Sequence, residues 1–136
     1  MNQLLHIVIE CGEDNYSAYI EEVDGIVMSG GTLREIRQNT QEAIALFLEA
    51  CQESGCEIPD VLKGEYSLIY QMDVKSFLGL YYSFFTKSGL ERLIGINQKQ
   101  LWHYASGKST PRKKQVAKIE KALHELGSEL MNVCLY

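Results

Sequence analysis

Residues 26–36, IVMSGGTLREI, mark the point at which the chain changes its hydrophobic period from two to that of a helix. Gly30-Gly31 ends the strand-type pattern, and Thr32-Leu33-Arg34-Glu35 reads as a capping box. In such a box the Thr32 hydroxyl accepts from the N–H of Glu35, and the Glu35 carboxylate reaches back to the N–H of Thr32. Downstream, Leu33, Ile36, Thr40, Ala43, Ile44, Phe47, Leu48 and Cys51 share one apolar stripe over about five helical turns, up to Gly55. Upstream, residues 4–10 alternate, with Leu5, Ile7 and Ile9 on one face and Leu4, His6, Val8 and Glu10 on the other. Gly12-Glu13-Asp14-Asn15 has turn chemistry, and Tyr16, Ala18 and Ile20 alternate in a second strand. Asp24-Gly25 is a hairpin signal leading into a third strand, Ile26 to Ser29. After Pro59 in a connection, Tyr66, Leu68 and Tyr70 alternate as a fourth strand. The front of the chain is therefore read as βββαβ, a sheet with a helix on one face.

From Asp73 onward the pattern is helical only. Asp73 can cap a helix with Phe77, Leu78, Tyr81, Phe84 and Phe85 on its apolar face, and Ser88 opens a second, bearing Leu90, Leu93 and Ile94. Asn97 starts a third helix that Gly107 ends. Thr110-Pro111 opens a fourth with Val116, Ile119, Leu123 and Leu126, and Gly127 marks its exit. The tail from Leu130 to Tyr136 reads equally as a helical turn or a pairing strand. The predicted class is α+β, with a sheet domain over 1–73 and an all-α domain over 74–136.

Composition narrows the function classes. In 136 residues, 46% are hydrophobic and 23% charged, which is globular. No apolar run approaches the roughly 20 residues of a membrane span. The opening MNQLLHIVIE lacks the basic segment of a signal peptide and reads as a strand, so a cytoplasmic protein is expected. Cys11, Cys51, Cys56 and Cys134 form no CxxC pair and read as buried free thiols, with neither a disulfide framework nor a zinc site. The net charge of −5 is unevenly spread. Residues 1–73 hold Arg34, Arg37 and Lys63 against 14 acids, a net of −11. Residues 74–136 hold ten Lys or Arg against Glu91, Glu120, Glu125 and Glu129, a net of +6. The halves suit different partners, the basic one phosphate and the acidic one a cationic surface, although they could also attract each other.

The back half carries the sharper chemistry. In residues 88–107, SGLERLIGINQKQLWHYASG, Gly95 supplies the left-handed residue of a sharp turn and Ile96 plugs the space beneath it. Asn97 and Gln100 form a capping-box variant. Leu101 and Tyr104 then face inward, leaving Gln98, Lys99, Trp102 and His103 outside near the N-terminal end, where a recognition helix meets base edges. Gln can pair with adenine, and Lys with guanine or a phosphate. Arg112, Lys113 and Lys114 occupy the first turn of the next helix, preceded by Lys108. Cations there oppose the helix dipole by about 0.3–1 kcal/mol each, whereas an anion would be favoured, so phosphate is the expected ligand.

The stretch GINQKQLWHYASGKSTPRKKQ (95–115) resembles the helix-turn-helix of Xre/Cro-type repressors, with its Gly-apolar-polar turn, inward Leu101 and terminal Gly-Lys…Pro. Residues 7–49, IVIECGEDNYSAYIEEVDGIVMSGGTLREIRQNTQEAIALFLE, resemble the partial RNase H-like domain of HicB antitoxins. The matching features are Glu10-Cys11, Tyr16-Ser17-Ala18-Tyr19, Asp24-Gly25, Gly31 to Glu35 and Glu42-Ala43-Ile44; Ile26 stands where many such proteins carry Cys. The resemblance implies an antitoxin that neutralises a small basic HicA-type mRNA-targeting ribonuclease and represses its own operon through operator double-stranded DNA. Acidic loop positions Glu13, Asp14, Glu21, Glu22 and Asp24 are the candidates for the toxin contact. Operator reading further implies a homodimer or higher even homo-oligomer.

Two other classes stand beside this one. A stand-alone helix-turn-helix regulator would use the front domain to sense a ligand or to dimerise. A nuclease of RNase H type would need several convergent carboxylates holding two metal ions; Glu10 and Asp24 are the visible acids, without a legible third and fourth. His6, His103 and His124 fall in different elements without a nucleophile pattern. No catalytic residue, metal ligand or cofactor is assigned, and no enzyme activity is expected.

Overall fold

The computed structural model describes residues 2–136. It is a mixed α+β protein with one four-stranded sheet and five α-helices among the described residues. The strands are β1 (Gln3–Cys11), β2 (Tyr16–Ile20), β3 (Val27–Gly30) and β4 (Tyr66–Gln71). The helices are α1 (Leu33–Ser54), α2 (Val74–Tyr81), α3 (Lys87–Ile94), α4 (Gln98–Ser106) and α5 (Lys113–Met131). The chain divides into two compact units, 1–76 and 77–136, and the division falls inside α2.

In the first unit the strand order is β3-β2-β1-β4. β1–β2 and β2–β3 are antiparallel, and β4 returns parallel to β1 after the α1 crossover. Registers Ile7↔Ile20, Ile9↔Ala18, Ala18↔Met28 and Leu5↔Leu68 set the alternating apolar residues side by side. Leu5, Ile7, Ile9, Ala18, Ile20 and Met28 are buried in one core with Ile36 and Ile44 of α1. Each of the Leu, Ile and Met side chains among them contributes about 1.5–3 kcal/mol by leaving water.

The entry to α1 follows the expected chemistry with one change. Thr32 Oγ1 accepts from the N–H of Glu35 at 3.1 Å, but the Glu35 carboxylate reaches the N–H of Gly31 (2.8 Å) and not that of Thr32. A side chain on Gly30 would place its Cβ 3.0 Å from Glu35 Cβ and Ile36 Cγ1, so glycine lets the helix start close against β3. Asn39 Nδ2 then donates to the Ser29 carbonyl (2.6 Å), fastening the second turn of α1 to the same strand.

Other expectations are corrected. Asp24-Gly25 does not make a two-residue hairpin: β2 and β3 are joined by residues 21–26, because Val23 and Ile26 turn into the core and draw the loop inward. The third strand accordingly runs Val27–Gly30. Only Cys51 is a buried thiol; Cys11, Cys56 and Cys134 are exposed.

In the second unit Leu78, Leu90, Ile94, Ile96, Leu101, Tyr104, Ile119 and Ala122 are buried, and α3 packs on both α4 and α5. Asp73 Oδ1 accepts from the N–H of Ser76 (2.7 Å), as a cap should. The aromatic face expected of α2 is interrupted, since a 3₁₀ turn follows at Tyr82–Phe84 and Phe84 is 73% exposed. The cap of α3 is Thr86, whose hydroxyl accepts from the N–H of Gly89 (3.0 Å), and not Ser88. Helix α5 begins after Arg112, two residues later than Pro111 suggests, and runs through Gly127 to Met131. Residues 132–136 form no strand.

Candidate nucleic-acid interface

Helices α3 and α4 are joined by residues 95–97. Gly95 is left-handed (φ 82°) and its N–H donates to the Glu91 carbonyl at 2.7 Å, closing α3. Lys118 Nζ of α5 donates to the Gly95 carbonyl (3.0 Å), placing a cation on the negative end of α3. Ile96 is buried beneath the turn, and Asn97 Oδ1 accepts from the N–H of Lys99 (2.8 Å) to begin α4. Leu101 (0% exposed) and Tyr104 (5%) face inward, as the spacing predicts.

The outward side differs from expectation at Gln98. Its backbone N–H donates to Glu91 Oε1 (3.1 Å) and its Nε2 to Glu91 Oε2 (3.3 Å), so Glu91 caps α4 and holds the amide of this half-buried residue. Gln100 also departs from its expected capping role, with its Nε2 donating to Ser109 Oγ (3.1 Å). His103 is half-buried. Lys99 remains exposed, as does Trp102 at 52%. The indole is held on two sides: Tyr82 meets it edge-on with centroids 6.1 Å apart, and Lys87 Nζ lies 5.4 Å from the ring centre. Such contacts fix an aromatic plane without covering it.

The start of α5 presents the second element. Arg112 is its N-cap and makes no side-chain cap bond, and no acid lies in the first turn. Arg112, Lys113, Lys114 and the preceding Lys108 are exposed and, among the described residues, form no ion pair with a carboxylate. Backbone N–H groups and side-chain cations thus share one helix end, an arrangement that attracts phosphate.

The acidic candidates lie in the first unit. Glu13 and Asp14 are exposed in the turn between β1 and β2, and Glu21 and Asp24 are exposed in the loop before β3. Glu22 is not free, because its carboxylate accepts from the His6 backbone N–H (2.7 Å) and pairs with His6 Nδ1 (2.5 Å). The Glu22 hydrogen bond holds the His6 imidazole above its ordinary pKa. Burial pushes Glu22 upward, but the bonds from His6 outweigh it and hold the carboxyl below its ordinary value. Among the described residues, His6, Glu21 and Glu22 are the one group of three or more whose ligand-type atoms all lie within 4.8 Å of one another; Glu10 and Asp24 are not in it.

The loop acids also leave out an apolar row on the uncovered face of the sheet. Val27, Tyr19 and Val8 are successive cross-strand partners, with Val27 71% and Tyr19 42% exposed. Leu4 (48%) and Ile69 (38%) lie outward on β1 and β4. The alternation that puts Leu5, Ile7 and Ile9 inward necessarily puts Leu4 and Val8 outward, so the signal was available in the sequence.

No helix among the described residues is long and apolar enough to cross a membrane. Comparison with protein-family models, with curated proteins and with solved structures finds no match to this chain.

Proposed function

We propose that the chain is a two-part cytoplasmic antitoxin and autorepressor of the HicB kind, without enzymatic activity. The helical unit binds operator DNA, with α3 and α4 as a helix-turn-helix. The sheet unit, a partial RNase H-like domain, binds a small basic HicA-type toxin. The observation that carries the DNA half is the cation cluster Arg112-Lys113-Lys114 on the uncapped N-terminus of α5. It lowers helix stability, so a bound anion is its simplest use. Lys99 and Trp102 then supply the outward chemistry of α4, Lys99 to guanine or phosphate and Trp102 to apolar base surface such as a thymine methyl. Gln98, held by Glu91, orients the helix start. A homodimer reading two half-sites would follow from this docking mode.

The protein-binding half rests on the apolar row Val8-Tyr19-Val27, bordered by acidic loops. A non-polar centre with a charged rim is the common anatomy of a protein interface, and the −11 charge of residues 1–73 suits a cationic partner. The same row also favours a second reading, a stand-alone regulator whose sheet unit pairs with its own copy.

Co-expression with neighbouring reading frames distinguishes the two. The antitoxin reading expects a small basic protein to co-purify through affinity steps at moderate salt, and Val27→Ser with Tyr19→Ser to release it. Recovery of the chain alone, as a dimer that the same double variant splits, would overturn the antitoxin reading and leave the regulator.

A further inference from the structure

We propose that Cys56 and Cys51 form a peroxide-sensitive modification site, in which a hydroperoxide oxidises Cys56 and Cys51 then closes a disulfide across the end of α1. The helix terminates at Gly55 (φ 74°), whose N–H donates to the Cys51 carbonyl. The N–H of Cys56 donates to the same carbonyl at 3.1 Å. This closure sets the residue four before Gly55 beside the residue directly after it, and in helices ending this way the two positions commonly share an apolar contact. Here both are cysteines.

Their surroundings differ as an attacking and a resolving thiol require. Cys56 is exposed, while Cys51 is 4% exposed at the end of the buried stripe of α1. Ser54 Oγ donates to Cys56 Sγ at 3.1 Å. Hydrogen bonds from the Cys51 side chain and from Ser54 favour a Cys56 thiolate and hold its pKa below the ordinary thiol value. The same bond to Cys56, with burial, holds Cys51 above it. The thiolate is the nucleophile toward peroxide. The exposed Cys11 and Cys134 donate instead to the backbone carbonyls of Gly12 and Leu135.

In the first step the Cys56 thiolate attacks one peroxide oxygen, the O–O bond breaks, and Cys56 sulfenic acid and hydroxide form. In the second, the Cys51 sulfur attacks the sulfenic sulfur. The S–S bond forms as the S–O bond breaks, and the Cys51 proton leaves with the hydroxyl as water. Two thiols are oxidised and one peroxide is reduced to water. A dithiol reductant reverses the change by exchange.

The test uses the full chain carrying Cys11→Ser and Cys134→Ser, exposed to hydrogen peroxide near neutral pH and read by intact mass and peptide mapping. The expected product is lighter by two hydrogen atoms, contains a Cys51–Cys56 link and reverts with dithiothreitol. Adding Cys51→Ala should stop the reaction at a sulfenic acid on Cys56 that dimedone traps, and Ser54→Ala should slow the first step by about threefold as thiolate stabilisation weakens. Because Cys51 is buried, the decisive arm is the exposed Cys56→Ser, which should abolish peroxide consumption by the protein. A link between two chains, first oxidation at Cys51, or loss of thiol at an unchanged rate in Cys56→Ser would overturn the proposal.

Discussion

Helices α1 and α5 are similar in length, 22 and 19 residues, yet their first turns are built from opposite materials. α1 opens on a Thr32 cap that accepts from the Glu35 N–H, while the Glu35 carboxylate in the first turn accepts from the Gly31 N–H just before the helix. α5 opens on Arg112 with no side-chain cap, followed by Lys113 and Lys114. The first beginning sets a hydroxyl and a carboxylate at the positive end of its helix, and the second sets cations there. A helix that gives up both a cap and dipole complementarity forgoes about 1–3 kcal/mol, a loss that the proposed phosphate contact would offset.

The sharpest way to break this contrast is the triple variant Arg112→Ala, Lys113→Ala, Lys114→Ala. Operator affinity should fall by about two orders of magnitude at low salt. The slope of log affinity against log salt should shrink by about 2.7, at roughly 0.9 per phosphate contact. The melting temperature should hold or rise; a drop in stability with unchanged DNA binding would place the cations in the structural account instead. Conversely, Thr32→Ala should cost about 1 kcal/mol of unfolding free energy in urea titration and leave the DNA isotherm untouched.

The smallest effect concerns the His6–Glu22 pair. A raised imidazole stabilises the fold below its ordinary pKa of 6.5, and the benefit disappears as pH rises through the higher folded value. A lowered carboxyl stabilises above its ordinary 4.5, and that benefit disappears as pH falls through the lower folded value. The pair therefore helps most between those two ordinary values. Thermal melts from pH 6 to pH 8 should show a small decline in the native chain that His6→Gln removes, with no matching change in DNA affinity.

Much of the architecture was readable because period-two and helical patterns are local. Leu5-Ile7-Ile9, the Thr32 cap and the Gly55 stop all lie where the sequence puts them. Misreadings arose where a distant contact decided a local choice. Asp24-Gly25 has tight-turn chemistry, but burying Val23 and Ile26 required a wider loop. Thr86 and Ser88 are both capable caps, and position relative to the Gly89 N–H selected Thr86. Gly127 costs a helix about 1 kcal/mol without ending it. At the candidate interface the helix phase of Leu101 and Tyr104 was legible, whereas the fate of Gln98 was not, because Glu91 reaches it across a turn between two helices.

The parallel pairing of β1 with β4 has a consequence for synthesis. β1 is the central strand made first, and its second neighbour is translated some 60 residues later, after the whole of α1. Until Tyr66–Gln71 leaves the ribosome, the backbone groups of β1 on that side have no strand to bond, and an interior strand is temporarily an edge. A nascent or prematurely ended chain is thus exposed to pairing through β1 with other molecules throughout that interval, and arrival of β4 makes β1 an interior strand.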